Sequence, residues 1–261
     1  MYYRVWIPVI AVFGFSMTLL SLQTGQVNTL VLFGLALFLF FTGLKRDYLA
    51  GVSLALTTIK PHLVLLTLPL LLLDSFRRKE WRVIGGFASV LIFTGVVLTG
   101  YYSEWLMSFR ALVFSGMSTI RETPTITGLL VVSGSPAWGK WVWLGALLIA
   151  ILFWHKRGKD WDRRTLIDVS VFVGLVASPI GWSYDQIILL FPILRILAWV
   201  ADGSLDRKDA LFIAIIISAM YAITYFQRIP APSDVWFFWV PFAVAGVYAF
   251  AWKRRISNSI I

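Results

Sequence analysis

Residues 49–73 read LAGVSLALTTIKPHLVLLTLPLLLL, an apolar run broken once, at Ile59-Lys60-Pro61-His62. The length suits one membrane crossing, since a helix needs about 20 apolar residues to traverse the hydrocarbon core. The break argues otherwise. Proline lacks a backbone donor and restricts the residue before it, so Lys60-Pro61 is a natural helix end. A straight crossing would also bury Lys60 near the bilayer centre, at roughly 2.5–3.5 kcal/mol even on insertion scales. The alternative is a pair of short arms of 11 to 13 residues that turn back at Lys60. They are too short to span alone, and are expected as short helices meeting in a protein-lined pocket, where broken backbone is tolerated.

The rest of the chain supports the second reading. Of 261 residues, 59% are hydrophobic and only 14% charged, with a mean hydropathy of +0.81. Soluble domains carry about a quarter charged residues, so a soluble globular enzyme and a disordered chain are both excluded. Further apolar runs lie at 5–22, 27–44, 83–100, 141–154, 210–226 and 235–252. The first is too long for a signal-peptide core and lacks a cleavage site, so it reads as a retained span. A second interrupted run, 166–200, breaks at Ser178-Pro179-Ile180-Gly181-Trp182. If both interrupted runs turn back, 17 of the 23 Lys and Arg residues fall on one side, five on the other, and Arg195 within a span. A straight passage at Lys60 would move 14 of them across. The excess of basic residues marks the cytoplasmic face. The expectation is therefore an all-α, polytopic helical bundle of about ten membrane segments, with both termini cytoplasmic. It forms a single transmembrane domain over 1–255 with a short tail at 256–261. The pI of about 10.0 is then a product of topology, and nucleic acid is not an expected partner. There is no Cys, which excludes disulfides and thiolate metal sites.

This topology gathers the unusual polar residues on the outer face. Gln23, Gln26 and Asn28 open the second span, Lys60 and His62 sit at the first break, and Trp182, Tyr184 and Asp185 at the second. A lysine followed by proline at a helix break makes an anion site, and Asp185 at the head of an apolar run either complements a helix dipole or does chemistry. Gln26 and Asn28 serve equally as helix caps or ligands. Arg195, a turn from the end of its span, reads as snorkelling to the interface, and Asp168 as structural. The outer segment 101–139 contains Glu104, Glu122 and the turn Thr123-Pro124-Thr125, and its apolar spacing at 103–115 predicts a helix lying in the interface. Trp105, Trp138, Trp141, Trp236 and Trp239 read as one interfacial belt, and Trp81, Trp154, Trp199 and Trp252 as the other. No nucleotide-binding, serine-hydrolase or zinc-protease motif is present, and His62 and His155 fall on opposite faces, so no metal site is expected. An activated substrate must then come from elsewhere, most simply from the lipid phase. The competing function is a non-enzymatic transporter or lipid-linked-glycan flippase, for which broken helix pairs are equally suited.

The order of the motifs resembles a known family. Thr24-Gly25-Gln26-Val27-Asn28-Thr29-Leu30, then Ala50-Gly51 leading to Ile59-Lys60-Pro61, is similar to the "GQ-x-N … AG … K-x-x-P" region of glycosyltransferase family 87. Ser178-Pro179-Ile180-Gly181-Trp182 with Leu189-Leu190-Phe191-Pro192 resembles its "SP-x-x-W … L-x-P" block, and residues 123–130 its outer-loop turn. These are polyprenol-phosphate-mannose-dependent mannosyltransferase-like proteins of the GT-C superfamily. The resemblance implies transfer of a sugar, mannose in the type case, from a polyprenyl-phosphate donor to an extracytoplasmic glycan or lipid acceptor at the plasma (inner) membrane, with no cofactor. It implies that Lys60 holds the donor phosphate, that Gln26 and Asn28 bond sugar hydroxyls or phosphate, that His62 belongs to the same binding set, and that Trp182 and Tyr184 stack on sugar. Many relatives carry His where Tyr184 and Asp185 stand. GT-C enzymes also carry an acidic residue in the first outer loop, whereas this one is Gln23-Thr24-Gly25-Gln26. The expectation is an N-terminally truncated, catalytically incomplete chain, or else a replacement carboxylate: Asp185, taken as the catalytic candidate, Glu104 or Glu122.

Overall fold

The structure, a computed structural model, describes residues 3–111, 122–134, 139, 141–229 and 233–258. Every regular element among them is helical. Helix α1 (Tyr3–Gly14) bends at Phe15 into α2 (Ser16–Gln23), the two axes meeting at 65°. The bend is covered by Tyr221, whose ring stacks on Phe15 at 5.1 Å and whose hydroxyl donates to the Ala11 carbonyl at 2.9 Å. Then come α3 (Asn28–Gly43), α4 (Asp47–Ala55), two 3-10 turns on either side of Lys60, α5 (Thr67–Arg77) and α6 (Trp81–Tyr101). After a helix at 105–111 follow α8 (Ile126–Val132), α9 (Val142–Phe153) and α10 (Arg163–Ala177), the 105–111 helix being counted as α7. A 3-10 helix (Ser183–Leu189) then runs into α11 (Leu190–Ala201), and α12 (Arg207–Arg228) and α13 (Trp239–Asn258) complete the bundle.

Both interrupted runs turn back, as close contacts at one end of the bundle establish. The start of α4 packs on the start of α6 so tightly that a Cβ on Gly51 would lie 2.0 Å from the Val83 carbonyl oxygen, and one on Gly86 2.2 Å from that of Tyr48. Since α5 ends only a few residues before α6 begins, both ends of 47–77 lie at that same end, with Lys60 at the far one. The second run is closed by Arg195 of α11, which bonds Asp162, the N-cap of α10, at 3.2 Å. Arg77 reaches the Lys159 carbonyl, and Arg254 lies 3.4 Å from Asp209, so the basic runs share one end of the bundle.

The helix lengths do not reach the expected count of about ten membrane segments. Among the described residues, four helices are long and apolar enough to cross a membrane: Trp81–Tyr101, Ser183–Ala201, Arg207–Arg228 and Asp234–Ser257. A fifth is obtained if α1 and α2 count as one bent span. The remaining apolar helices are shorter, at about 1.5 Å of rise per residue. The chain is a membrane protein in which α4 and the 183–189 turn are packed inside, while short helices such as α9 stay at the surface. Accordingly, α6 presents Ile92, Phe93 and Val96 outward, each about two-thirds exposed, while α4 and the 183–189 turn are largely buried.

Three further expectations need correction or restriction. Arg195 does not snorkel: it is mostly buried and bonds Asp168 at 2.8 Å, and the Tyr248 hydroxyl donates to the same carboxylate oxygen at 3.1 Å. Trp154 and Trp199 are buried, Trp199 between Tyr248 and Trp252, so neither is an interfacial belt residue. The helix expected over 103–115 is present at 105–111, with Leu106, Met107 and Phe109 exposed. Residues 112–115 and Trp138 lie outside the described residues.

The α4–α6 contact yields a prediction. Gly51→Val should destabilise the protein by more than the ~1–3 kcal/mol of ordinary overpacking, because it drives side-chain atoms into helix backbone. Gly85→Ala, where a Cβ meets nothing within 4 Å, should be neutral or stabilising by up to ~1 kcal/mol. Thermal unfolding in detergent measures both; equal effects would refute this packing.

Candidate functional site

At the end opposite the basic runs, each named polar residue is delivered by a local break. Helix α2 ends in a turn in which Gly25 adopts φ +62°, a conformation glycine reaches without a Cβ penalty. Gly25 and Gln26 donate their amides back to Leu22 and Ser21, closing the helix and carrying Gln26 onto the rim. Asn28 then opens α3 and is buried. Thr57 and Thr58 each turn their hydroxyls onto the carbonyl three residues back, which tightens the last turn before Lys60. Pro61 begins the next turn, and the Leu63 amide donates to the Lys60 carbonyl. At the second break, the Trp182 amide donates to Asp185 Oδ2 at 2.9 Å and so fixes the carboxylate at the head of the 3-10 helix.

These breaks converge on one hydrogen-bonded cluster. Lys60 Nζ donates to Asn28 Oδ1 at 2.6 Å, to Asp185 Oδ1 at 2.9 Å and to Gln26 Oε1 at 3.0 Å. An ammonium has three donors, and all three are used. His62 Nε2 lies 3.1 Å from Asp185 Oδ2, and Asn28 Nδ2 donates to the Tyr184 carbonyl at 3.1 Å. Trp182 and Tyr184 stack nearly parallel, 10° apart with centroids at 5.8 Å, and Lys60 Nζ sits 4.8 Å from the Tyr184 ring centre. Lys60, His62 and Asp185 side chains are 14%, 13% and 1% exposed. Gln26, Asn28, Lys60, His62, Trp182, Tyr184 and Asp185 therefore stand together, although 157 positions separate the second and the last of them in the chain.

Geometry assigns the members different capacities. Asp185 is sealed: three donors occupy its two oxygens, and its charge is spent on orienting Lys60 and His62. His62 keeps its second ring nitrogen, Nδ1, outside any hydrogen bond among the described residues. Gln26, on the rim, is the partner of Lys60 most readily exchanged for an incoming anion. The turn Thr123-Pro124-Thr125 packs beside the cluster: Pro124, Thr125, His62 and Asp185 surround a cavity of about 10 Å³, at the lower limit for one water. Glu104 and Glu122 make no hydrogen bond to the cluster among the described residues. No three His, Asp or Glu side chains among those residues converge as metal ligands.

Two supports were not identified from sequence. Asp234 accepts from the Ser183 hydroxyl at 2.8 Å and from Arg228 at 2.8 Å, tying the 183–189 turn to the α12–α13 connection. Gln186 Nε2 donates to the Phe237 carbonyl at 2.9 Å. The available signal was Arg228 followed closely by Asp234 at the end opposite the basic runs.

The sequence matches the family model of Glycosyltransferase family 87 over residues 3–179. The chain belongs to glycosyltransferase family 87. No curated protein and no solved structure matches it. The matched region supplies Gln26, Asn28, Lys60 and His62; it ends just before Trp182, Tyr184 and Asp185, which complete the cluster from the remainder of this family member.

The cluster predicts strong coupling. Asp185→Ala strands a buried ammonium and should cost about 3–5 kcal/mol. In the Lys60→Met/Asp185→Ala double mutant, part of that loss should be recovered, giving a coupling energy of about 1–3 kcal/mol in denaturant or thermal melts. Strict additivity would show that the two side chains do not interact.

Proposed function

We propose that this glycosyltransferase transfers a sugar, mannose on the family resemblance, from a polyprenyl-phosphate donor to a glycan or lipid acceptor on the extracytoplasmic side of the plasma membrane. The observation that supports this most is the placement of Lys60: a largely buried cation, held by neutral amides and one carboxylate, at the bundle end away from the basic runs. Under the positive-inside rule those runs, and with them both termini, lie in the cytoplasm, which puts the cluster on the outer face.

In this reading the donor phosphate displaces Gln26 and takes charge-assisted hydrogen bonds from Lys60. As the glycosidic oxygen leaves, negative charge grows on the phosphate, and a fixed ammonium in a poorly hydrated site stabilises it. The released Gln26 amide and Asn28 bond sugar hydroxyls, and the Trp182–Tyr184 stack offers an apolar face to the ring. The acceptor hydroxyl loses its proton to the His62–Asp185 pair. His62 takes the proton, and the buried Asp185 carboxylate holds the ring in place and compensates the charge it gains. No cofactor enters this scheme.

The test is transfer from radiolabelled polyprenyl-phosphate mannose in membranes, normalised to folded protein. Lys60→Gln, which keeps a hydrogen-bonding partner for Asp185, should lower transfer by about 10²–10³-fold, and His62→Gln by about 10²–10⁴-fold. Wild-type rates in Lys60→Gln would overturn the phosphate role. Facilitated counterflow of solute without transfer would replace the enzyme with a transporter.

A further inference from the structure

A second feature lies away from the polar cluster. Between α3 and α11 runs a cavity of about 480 Å³, walled by Leu32, Ala36 and Phe40 on one side and Leu190 and Leu194 on the other. Its outer end, beside Leu32 and Leu190, is apolar. Its inner end, toward the basic runs, is lined by Arg164, Arg195 and Asp168. Arg195 is already engaged by Asp168 and Asp162, whereas Arg164 is exposed and forms no salt bridge with the described residues. Lys45 and Arg46, a turn beyond Phe40, are exposed at the same end. Flanking side chains on α3, Phe33 and Phe40, are more than half exposed, as expected of a surface that faces hydrocarbon.

We propose that this groove is the seat of an anionic phospholipid, with one acyl chain between α3 and α11 and the head-group phosphate on Arg164 and Arg195. Charge complementarity selects the occupant. A purely apolar slot would accept any hydrocarbon, but this one carries its cations at one end only, where Arg164 and Arg195 line it and Lys45 and Arg46 lie exposed nearby, and basic pockets between membrane helices on the cytoplasmic side take anionic head groups. These cations lie at the end of the groove away from Lys60. A polyprenyl donor whose phosphate sits on Lys60 would therefore bring no phosphate to Arg164. Arg164 presents a planar fork of donors suited to two phosphate oxygens at once. The site has a structural consequence as well. Helix α3 begins at Asn28, and α11 continues directly from the turn bearing Asp185, so a lipid between them sets the spacing of the two halves of the polar cluster.

The experiment is thermal unfolding of the purified full chain in neutral detergent, titrated with dioleoyl phosphatidylglycerol, dioleoyl phosphatidylcholine or a polyprenyl phosphate at equal mole fractions. Phosphatidylglycerol should raise Tm by about 5 °C near saturation, with little change from phosphatidylcholine. Arg164→Glu should abolish that rise, each titration being read against the variant's own lipid-free Tm, and Ala36→Phe should abolish it by filling the groove. Added salt should weaken the effect, since an exposed head-group contact is screened. Equal shifts from phosphatidylglycerol and phosphatidylcholine, or a phosphatidylglycerol shift that survives Arg164→Glu, would overturn the proposal. A shift from polyprenyl phosphate alone, sensitive to Ala36→Phe and indifferent to Arg164→Glu, would give the groove to the donor's tail instead.

Discussion

A lysine ammonium 2.9 Å from a carboxylate that is 1% exposed is the contact on which the end of this bundle opposite the basic runs is built. Neither charge is tolerable there alone: an unpaired ion in such a setting costs several kcal/mol, and the pair is kept only because its remaining hydrogen-bonding capacity is filled. Asn28 and Gln26 fill it for Lys60, and His62 with the Trp182 amide for Asp185. One interaction thereby pins three breaks, those after α2, at Lys60 and after Ser178, none of which has a regular helical ladder to hold it.

The half-length helices follow from the same constraint. Unsatisfied backbone at a break is expensive in hydrocarbon and must be lined by protein. Here α4 packs on α3 and α6, α5 on α6 and α10, and the 183–189 turn on α2, α3, α10 and α13, while glycines at 51 and 86 let α4 lie against α6 at backbone distance. Burying the polar breaks in the middle leaves the lipid-facing surface to helices that are apolar on the outside. It also leaves a seam between α3 and α11, with α10 contributing Arg164 and Asp168 at one end.

Much of this was legible in the sequence because the signals were local. Lys60-Pro61 and Ser178-Pro179 announce breaks, and the distribution of Lys and Arg shows that the chain turns back at both, so that Gln26, Asn28, Lys60, His62, Trp182, Tyr184 and Asp185 could be assigned to one face before their contacts were known. What was not legible depends on tertiary partners. The count of about ten membrane segments rested on apolar runs and charge, whereas which of them are long enough to span depends on where each helix breaks in the fold. Arg195 looked free to reach the interface because Asp168 and Tyr248 are brought to it by other helices. Trp199 looked interfacial because the rings that bury it come from α13. Asp234 was overlooked since its partner Ser183 is 51 residues away.

The central claim is that the outer cluster is built to hold a phosphate on Lys60. A cryo-electron microscopy map of the protein in lipid nanodiscs with a non-transferable polyprenyl-phosphate sugar analogue tests it directly. The map should show the phosphorus density within one hydrogen-bonded shell of Lys60 Nζ, with oxygen at about 2.8 Å, Gln26 swung away and the sugar over Trp182 and Tyr184. Analogue density with its phosphate at the basic end beside Arg164, and the Lys60–Gln26 contact intact, would contradict it.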